Sequence, residues 1–393
     1  MTDEPVAPLI TFRRDLHAHP ELRFTETRTA QRIAAAVAPF ADTVISGIGG
    51  TGVLARVDGE EPGDLVLIRA DIDAFPVADA KDVSYRSVTP GVAHACGHDV
   101  HATVAVGVLQ HFGVHRPRRG SVAAIFQPAE EIPFGATSGA SVVLADEAMT
   151  KMRPRAVLGV HCWPQLAAGA IGVESRLAMA AKDAFEITVH GTSAHVATPA
   201  NGRDAILAAS VLVTSLHAAV ARRRDPHEQV ALNVGTFNGG TSQSALASEV
   251  VVTGTLRTHD EEVRQVLRSV IASVTEGVGV QFDTPLTLRW ANEMPAVINE
   301  PGLVQLARTT LPAVAEVVDL DVGPMTSDDF ALYASLAPTL YLKLGVARPG
   351  GPVAAPLHSS TFDVDERCID VGVTALAALA LALLDESEGA SPK

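Results

Sequence analysis

Apolar residues recur along the chain with two different spacings. Short apolar runs bounded by polar or glycine-rich residues, which are typical of strands buried on both faces, include DLVLIRAD, SVAAIFQP and AVLGVHC. Apolar residues every three or four positions, which predict helices, occur in TETRTAQRIAAAVAPF and HATVAVGVLQHF. The alternation of the two patterns predicts an α/β fold with parallel strands. In such a sheet, ligands bind at the carboxyl ends of the strands.

The pattern changes at about Lys182. From there the chain carries a half-exposed strand, a long helix, two strands, a second helix and a last strand, in the segments KDAFEITVHG, RDAILAASVLVTSLHAAVA, QVALNVGTFNGG, SEVVVTGTLRT, DEEVRQVLRSVIASVTEGV and QFDTPLTLRW. This β-α-β-β-α-β order is the ferredoxin-like pattern. The earlier alternation resumes after Pro295. We therefore predict an α+β domain, residues 182–293, inserted into a discontinuous domain made of residues 1–181 and 294–393.

The glycine-rich segment GIGGTG, residues 47–52, matches the G-x-G-x-x-G fingerprint of dinucleotide-binding folds. That fingerprint needs a helix after the glycines, because the helix N-terminus binds the pyrophosphate. Here the flanking segments TVIS and VLARV are both strand-like. We therefore predict a hairpin turn at this position.

Length, charge and cysteine content limit the class of protein. The 393 residues exceed what one core usually supports, and 47% of them are hydrophobic. A net charge of −15 argues against nucleic acid and anionic membranes as partners, because both would repel the chain. The acidic start MTDEP lacks the basic region of a secretory signal, and the apolar run VGVTALAALALALL is short for a bilayer span, so we expect a buried C-terminal helix. Three cysteines without a CxxC pair fit the reducing cytoplasm.

Side chains that bind metals are concentrated in five segments at or just after predicted strands. They are Asp71 and Asp73, Cys96 and His98 in HACGHDVH, Glu130 and Glu131, His161, and His358. Each has an ordinary explanation alone, since a single histidine after a strand is more often structural and paired acids are usually solvated. Together they match the N, S and O ligand set of zinc or a similar ion, with room for a pair of ions. Adjacent glutamates allow one to bind metal while its neighbour takes a proton from a metal-bound water.

The order of these segments resembles the M20 metallopeptidase family, in particular its aminoacylase branch, which includes hippurate hydrolases and hydrolases of auxin-amino acid conjugates. The resemblance extends from about residue 11 to residue 380 and depends most on HACGHDVH and FQPAEE. It implies a zinc-exopeptidase-like catalytic domain with an inserted ferredoxin-like lid that also forms a homodimer. It further implies a metal-dependent amidohydrolase for N-acyl amino acids or related small amides. Dipeptidase or carboxypeptidase activity is the alternative within the family.

The resemblance also implies roles for individual residues. The ligand positions of the family, which hold two divalent ions, fall on Cys96 as the bridging thiolate and on His98, Glu131, His161 and His358. Zinc is the expected metal, and manganese, nickel and cobalt suit the same ligands. Glu130 falls on the general acid/base that deprotonates the bridging water and then protonates the departing amine. Asp73 falls on the carboxylate that orients a ligand histidine, and Asp71 and His101 are left as supports of the loop.

Two residues of the inserted domain match family positions near the substrate. His195 in GTSAH aligns with the lid histidine that stabilises the oxyanion, in some relatives from the neighbouring subunit. Arg257 in GTLRT is a candidate for binding the substrate carboxylate, because a guanidinium offers a bidentate fork; a surface arginine on a strand is the alternative. Ser244 stands where the family commonly has asparagine, so the substrate contacts of that loop stay open.

Two other classes of protein compete with the metal-dependent hydrolase. In a cysteine hydrolase, His94 or His98 would activate Cys96 as the nucleophile. That hypothesis leaves the adjacent glutamates, His161 and His358 without a role. In a catalytically silent metal-binding protein, a free base such as Glu130 beside the metal has no purpose.

Overall fold

The computed structural model describes residues 6–321, 323–351 and 354–389; residues 1–5, on which the expectation about a secretory signal depends, lie outside them. The strands are β1 (Thr43–Ile48), β2 (Gly52–Asp58), β3 (Glu61–Asp71), β4 (Arg119–Gln127), β5 (Ala156–Ala167), β6 (Ala170–Glu174), β7 (Leu177–Met179), β8 (Ala181–His190), β9 (Val230–Gly239), β10 (Glu249–Thr258), β11 (Leu286–Met294), β12 (Val297–Ile298), β13 (Glu316–Leu320) and β14 (Thr339–Ala347).

The helices alternate with these strands. They are α1 (Val6–Ala18), α2 (Thr27–Val37), α3 (His98–Val114), α4 (Gly139–Ala145), α5 (Glu147–Thr150), α6 (Ala205–Arg223), α7 (Glu261–Phe282), α8 (Pro301–Thr310) and α9 (Cys368–Gly389). Three short 3-10 helices complete the set at Pro199–Asn201, Leu311–Ala313 and Asp329–Ser335.

The larger sheet has eight strands in the order β1-β2-β4-β3-β5-β14-β6-β13. Its central strands β4, β3, β5 and β14 are mutually parallel, as the short apolar runs predict. Alternate residues of β3 face opposite sides: Val66 and Ile68 pack with α3 and α9, whereas Leu67 packs with α4 and the 3-10 helix Asp329–Ser335. The sheet is therefore buried on both faces, and its loops at the carboxyl ends of the strands are available for a site.

The smaller sheet consists of β8 to β11 in the antiparallel order β11-β8-β10-β9. The helix α6 connects β8 to β9 and the helix α7 connects β10 to β11. Both pack on the sheet, with Phe185 of β8 in the shared core. The predicted ferredoxin-like order is confirmed. The last strand begins at Leu286, later than predicted, because α7 continues to Phe282 and ends at Asp283 in the left-handed conformation (φ 49°).

The glycine-rich segment GIGGTG joins β1 to β2, which pair in antiparallel register. Gly47, Gly49 and Gly50 all have positive φ, a conformation that glycine adopts without a steric penalty. The predicted hairpin turn is confirmed. Because no helix follows these glycines, the segment lacks the helix N-terminus that a pyrophosphate needs.

Two helices of the described chain are long and apolar enough to cross a membrane, judged by length and composition only: Ala205–Arg223 and Cys368–Asp385. Both contribute buried side chains to a hydrophobic core, α6 to the core of the smaller sheet and α9 to that of the larger. Leu376, Leu379 and Leu383 of α9 are buried against the larger sheet and its helices. The predicted buried C-terminal helix is confirmed.

The packing of α9 generates a test of the core. Leu379 is fully buried, whereas Leu381 on the same helix is 42% exposed. We expect Leu379→Ala to lower the free energy of unfolding by about 2 to 5 kcal/mol, because the substitution leaves a cavity, and Leu381→Ala to change it by less than about 1 kcal/mol. Urea denaturation of the two variants checks this, and equal losses would contradict the assigned orientation of α9.

Candidate metal centre and active site

Three neighbouring parallel strands supply four of the predicted site residues. The loop after β3 carries Asp73, the loop after β4 carries Glu130 and Glu131, and β5 carries His161 within the strand. These segments meet at one edge of the sheet because the carboxyl ends of parallel strands lie together.

Cys96 and His98 reach this edge by a different route from the one predicted. They do not follow a strand; Cys96 ends a long loop and His98 is the first residue of α3. Gly97 between them has φ 89°, and a Cβ there would lie 2.6 Å from Cys162 Sγ. Only glycine fits at this turn, so the position of the two candidate ligands depends on it.

The rings of His98 and His161 are each fixed through Nδ1. Nδ1 of His98 is 2.9 Å from the carbonyl oxygen of Asp73 and 3.2 Å from its Oδ1, and Nδ1 of His161 is 2.8 Å from the carbonyl oxygen of Cys162. A carbonyl oxygen only accepts, so both Nδ1 atoms donate. Each Nε2 is then turned toward the site, and His161 Nε2 lies 3.6 Å from Cys96 Sγ.

Cys96 belongs to two groups of candidate ligand atoms. Its Sγ lies within 4.8 Å of donor atoms of His98 and His161, which also lie within 4.8 Å of each other. In the second group, Sγ lies within 4.8 Å of donor atoms of Glu131 and His358. Glu131 Oε1 and His358 Nε2 are 2.7 Å apart. The five predicted ligands are thus brought together, with the thiol common to both groups.

His358 reaches the site from the loop after β14. Its ring stacks on Phe75 with the centroids 4.1 Å apart, and its backbone N–H donates to the carbonyl oxygen of Ala95. The residue has φ 64°, a left-handed conformation uncommon outside glycine, asparagine and aspartate. Strained backbone of this kind occurs most often where a side chain has to be held at a functional site.

Asp71 and His101 form a layer below the candidate ligands. Nδ1 of His101 is 2.6 Å from Asp71 Oδ1, and its Nε2 accepts the backbone N–H of Cys162 at 2.9 Å. Both ring nitrogens are therefore used within the protein. Although Asp71, His98 and His101 lie close enough together to hold an ion, these hydrogen bonds fit the expectation that His101 supports the loop.

Arg69 balances the charge of this layer. Its guanidinium donates to Asp71, Gln127 and Asp329 at 2.6 to 2.9 Å, and all four side chains are buried. Burial acts to raise the pKa of Asp71, but Arg69, and then the histidines, hold it well below its usual range. The carboxylate of Asp71 is therefore charged beneath the site.

The loop that carries Glu130 and Glu131 is anchored on both sides. The N–H of Glu131 donates to Asp73 Oδ2 at 2.9 Å, and the N–H of Ala129, which has φ 54°, donates to the buried Glu26 at 2.9 Å. Asp73 therefore orients both His98 and this loop. Glu26 received no role from the sequence, because its partner lies in a loop more than a hundred residues away.

The ionisation of Cys96 and Glu130 differs from that of exposed groups. Burial, followed by the charges of Glu131 and Glu130, raises the pKa of the Cys96 thiol well above its usual range. A nucleophilic cysteine needs the opposite shift, so the surroundings disfavour the cysteine hydrolase. Burial, followed by the charges of Glu131, Asp328 and Asp329, raises the pKa of Glu130 well above its usual range.

A cavity of about 330 Å³ opens above the candidate ligands. The floor includes Cys96, Glu130 and His358, and Trp163 and Leu357 add apolar surface. The smaller sheet contributes two cations to the opposite wall, Arg257 of β10 and Lys182 of β8. Lys182 received no role from the sequence, which offered no signal beyond its position at the start of a strand.

Arg257 and His195 occupy different positions relative to this cavity. Nη1 of Arg257 donates to the carbonyl oxygen of Met325 at 2.8 Å, and the side chain lines the cavity. His195 is exposed, its Nδ1 accepts the N–H of Ala197 at 3.1 Å, and it is not among the described residues that line this cavity.

Comparisons with known proteins agree with this architecture. The model of the family described as peptidase family M20/M25/M40 matches residues 67–382. The chain is 32% identical over 382 residues to the N-acetyl-L-cysteine deacetylase of Bacillus subtilis, with 97% of this chain and 89% of the relative covered. It is also 32% identical over 382 residues to the N-acetyldiaminopimelate deacetylase of Geobacillus thermodenitrificans, with 95% and 97% covered.

A solved structure extends the likeness to three dimensions. The crystal structure of the YXEP protein of Bacillus subtilis, described as a dinuclear metal binding peptidase from the M20 family, superposes with a TM-score of 0.83 at 30% identity. The match covers 98% of this chain and 99% of that one. In sequence and in fold, this chain belongs to peptidase family M20/M25/M40.

Proposed function

We propose that this protein is a metal-dependent amidohydrolase that cleaves the amide bond of N-acyl amino acids or related small amides. One observation carries the proposal: Cys96 Sγ is common to two groups of candidate ligands on the floor of a cavity that Glu130 also lines. The two relatives compared above are named as deacetylases of N-acetylated amino acids, which supports this substrate class. Dipeptide cleavage is the alternative, since it breaks the same kind of bond.

The donor atoms fit a pair of divalent ions. His98 Nε2 is buried and has no hydrogen-bond partner in the described part of the chain, as expected of an atom that binds a cation. Burial, followed by the charge of His101, lowers the pKa of His161 to about 3, so this ring is neutral and has a lone pair on Nε2. A set of one thiol, three imidazoles and one carboxylate suits zinc first, and also manganese, nickel or cobalt.

The pKa of His98 makes metal binding depend on pH. Burial acts to lower its pKa, but the negative charges of Asp71, Asp73 and Glu131 raise it to about 10. A cation that binds at Nε2 therefore has to displace a proton, and its affinity falls as the pH falls. We propose His98 and His161 with the shared Cys96, and Glu131 and His358 on the other side of the thiol, as the ligand set.

Glu130 is the residue that we propose moves protons. Ions bound beside it would polarise the substrate carbonyl and lower the pKa of a water to near neutrality. The carboxylate of Glu130 takes the proton of the attacking water and then gives it to the amine nitrogen that leaves. Asp73 keeps the base in place by accepting the N–H of Glu131.

We further propose that the smaller sheet with its two helices, residues 182–293, is a lid through which two copies form a homodimer. Ile206 and Leu207 on α6 are 41% and 52% exposed, and Phe237 is 41% exposed on β9 at the edge of the sheet. Apolar residues beside an open strand edge favour association with a second chain. His195 lies outside its own cavity, so we propose that it stabilises the oxyanion in the partner's site.

We also propose that the protein works in a reducing compartment such as the cytoplasm. All three cysteines, Cys96, Cys162 and Cys368, are free and buried. A thiol that serves as a metal ligand has to stay reduced, because oxidation removes its lone pairs from the metal.

The role of Glu130 is tested by Glu130→Gln. We expect turnover of an N-acetyl amino acid to fall by about 100-fold or more, because the amide accepts no proton, while the metal content stays at the wild-type level. Steady-state kinetics and elemental analysis of the same sample measure the two quantities. Glu147→Gln, on the exposed face of α5, is the control and keeps both at the wild-type level. Activity within tenfold of wild type in Glu130→Gln would rule out the role.

The position of His195 is tested by a heterodimer of two defective chains. One chain carries Glu130→Gln, the other carries His195→Ala, and each has its own affinity tag so that only mixed dimers are purified. If His195 acts in the partner's site, one of the two sites is intact and we expect about half of the wild-type activity per dimer. A mixed dimer as inactive as the two parent homodimers would show that His195 acts within its own chain. An active His195→Ala homodimer would show that the residue is dispensable.

A further inference from the structure

Lys182 and Arg257 form a pair of like charges on the lid wall of the cavity. They are directly opposite each other in the antiparallel register of β8 and β10, so both side chains stand on the same face of the sheet. Both are partly buried and both line the cavity above the candidate ligands. Like charges directly opposite each other on neighbouring strands destabilise a sheet, so this pair needs a compensating anion.

Other buried cations of the chain have carboxylate partners. Arg13 is 2.7 Å from Asp99, Arg69 is 2.7 Å from Asp71, and Arg264 is 2.8 Å from Asp183. This is the expected arrangement, because an uncompensated buried charge is strongly destabilising.

The pair on the cavity wall lacks such partners. Within the described residues, the side chain of Lys182 makes neither a hydrogen bond nor an ion pair. Burial and then Arg257 lower the pKa of Lys182, and the charges of Glu130 and Glu131 act to raise it only from beyond ion-pair distance. The acceptors of Arg257 are uncharged: the carbonyl oxygen of Met325 at 2.8 Å and Ser327 Oγ at 3.5 Å. Glu131, on the floor, is instead 2.7 Å from His358 Nε2. The cavity thus holds two positive groups, and the described residues place no carboxylate within ion-pair distance of either.

The free edge of Arg257 is suited to a carboxylate. Both of its recorded hydrogen bonds leave from Nη1, so Nε and Nη2 remain as a parallel pair of donors, the geometry that binds a carboxylate with two hydrogen bonds. The ammonium of Lys182 is a separate point charge with three donors of its own. One carboxylate satisfies the edge of Arg257, and Lys182 is then left for a second anionic group.

We propose that the substrate is dianionic, with one carboxylate bound by Arg257 and a second bound by Lys182. This inference rests on the proposed amide hydrolysis and makes it more specific. The second carboxylate belongs either to the side chain of the amino acid, as in an N-acylglutamate, or to the acyl group, as in an N-succinyl amino acid. Lys182 is a specificity-determining residue in both cases.

Two pairs of substrates of matched shape test the proposal. N-acetylglutamate is compared with N-acetylglutamine, and N-succinylalanine with N-succinamoylalanine, so that each pair differs only by replacement of one carboxylate by an amide. We expect the wild type to prefer the dianionic member of at least one pair by about tenfold or more in kcat/KM. In Lys182→Met this preference falls to within about twofold, whereas Lys182→Arg keeps most of it.

The controls separate recognition from folding. Lys151→Met removes a lysine from the exposed surface and keeps the wild-type preference. A structural role of Lys182 would lower kcat/KM for both members of a pair equally and leave their ratio unchanged. The ratio is therefore the quantity that decides, and it is measurable in a variant of reduced stability.

A second measurement avoids turnover altogether. The unfolding temperature of the metal-loaded protein is recorded with glutamate, glutamine, succinate and succinamate, none of which has an N-acyl bond to be cleaved. We expect the dianion of the preferred pair to raise it more than its amide analogue in the wild type, and the difference to vanish in Lys182→Met.

The outcomes also separate this proposal from the one on which it rests. If no N-acyl amino acid is hydrolysed with any metal, the proposed function fails. If the mono-anionic amides are hydrolysed as well as the dianions, the function stands and the dianionic subsite is refuted. A preference that survives in Lys182→Met equally refutes the assignment to Lys182.

Discussion

A buried thiol, several imidazoles and six carboxylates share one small volume in this protein, and they can do so only if their charges are balanced. An isolated buried carboxylate is too unstable to persist, so each has to be paired or neutralised. Arg69 supplies the balance below the site, where it holds Asp71 and Asp329. Above that layer, Asp73 pairs with His98, and Cys96, Glu131, His161 and His358 lie beside one another; the proposed cations would complete the balance there.

The same constraint accounts for the local backbone. The turn at Gly97 places Cys96 and His98 at the N-terminal end of α3. A Cβ on this glycine would collide with Cys162. Ala129, which precedes the adjacent glutamates, has a positive φ. The candidate ligand His358 also has a positive φ. These conformations are unfavourable by themselves and persist because neighbouring hydrogen bonds fix them, among them the bond from Ala129 N–H to Glu26.

The sequence predicts the strands, the helices and the candidate ligands better than it predicts the loops and the contacts between distant segments. The period of the apolar residues is enough to predict the parallel strands and the ferredoxin-like unit, because burial on one or both faces is a local property of a segment. The five candidate ligands were identified by residue type and family likeness, and the structure brings them together. The sequence could not predict that Cys96 and His98 begin a helix, since a loop of irregular structure carries no period. It also gave no role to Lys182 or Glu26, whose surroundings come from segments distant in the chain.

The site joins two parts of the fold. The larger sheet provides the candidate ligands and Glu130, and the smaller sheet provides Lys182 and Arg257. Asn292 of β11 links them further, since its side chain accepts the N–H of Gly135 at 2.8 Å and donates to the carbonyl oxygen of Ala136 at 3.0 Å, in the loop that follows Glu131. A change in the position of the smaller sheet would therefore act on both the cavity wall and the loop of the proposed base.

The central claim is that one thiolate, that of Cys96, is shared by two metal ions. It is tested most directly by titrating metal-free protein with Co²⁺ and recording the thiolate-to-cobalt charge-transfer absorption in the near ultraviolet. The account predicts a band that continues to change through the first and the second equivalent of cobalt and that is absent from Cys96→Ala, because Cys162 and Cys368 lie outside the candidate ligand groups. A band that is complete after one equivalent, or that persists without Cys96, would contradict it.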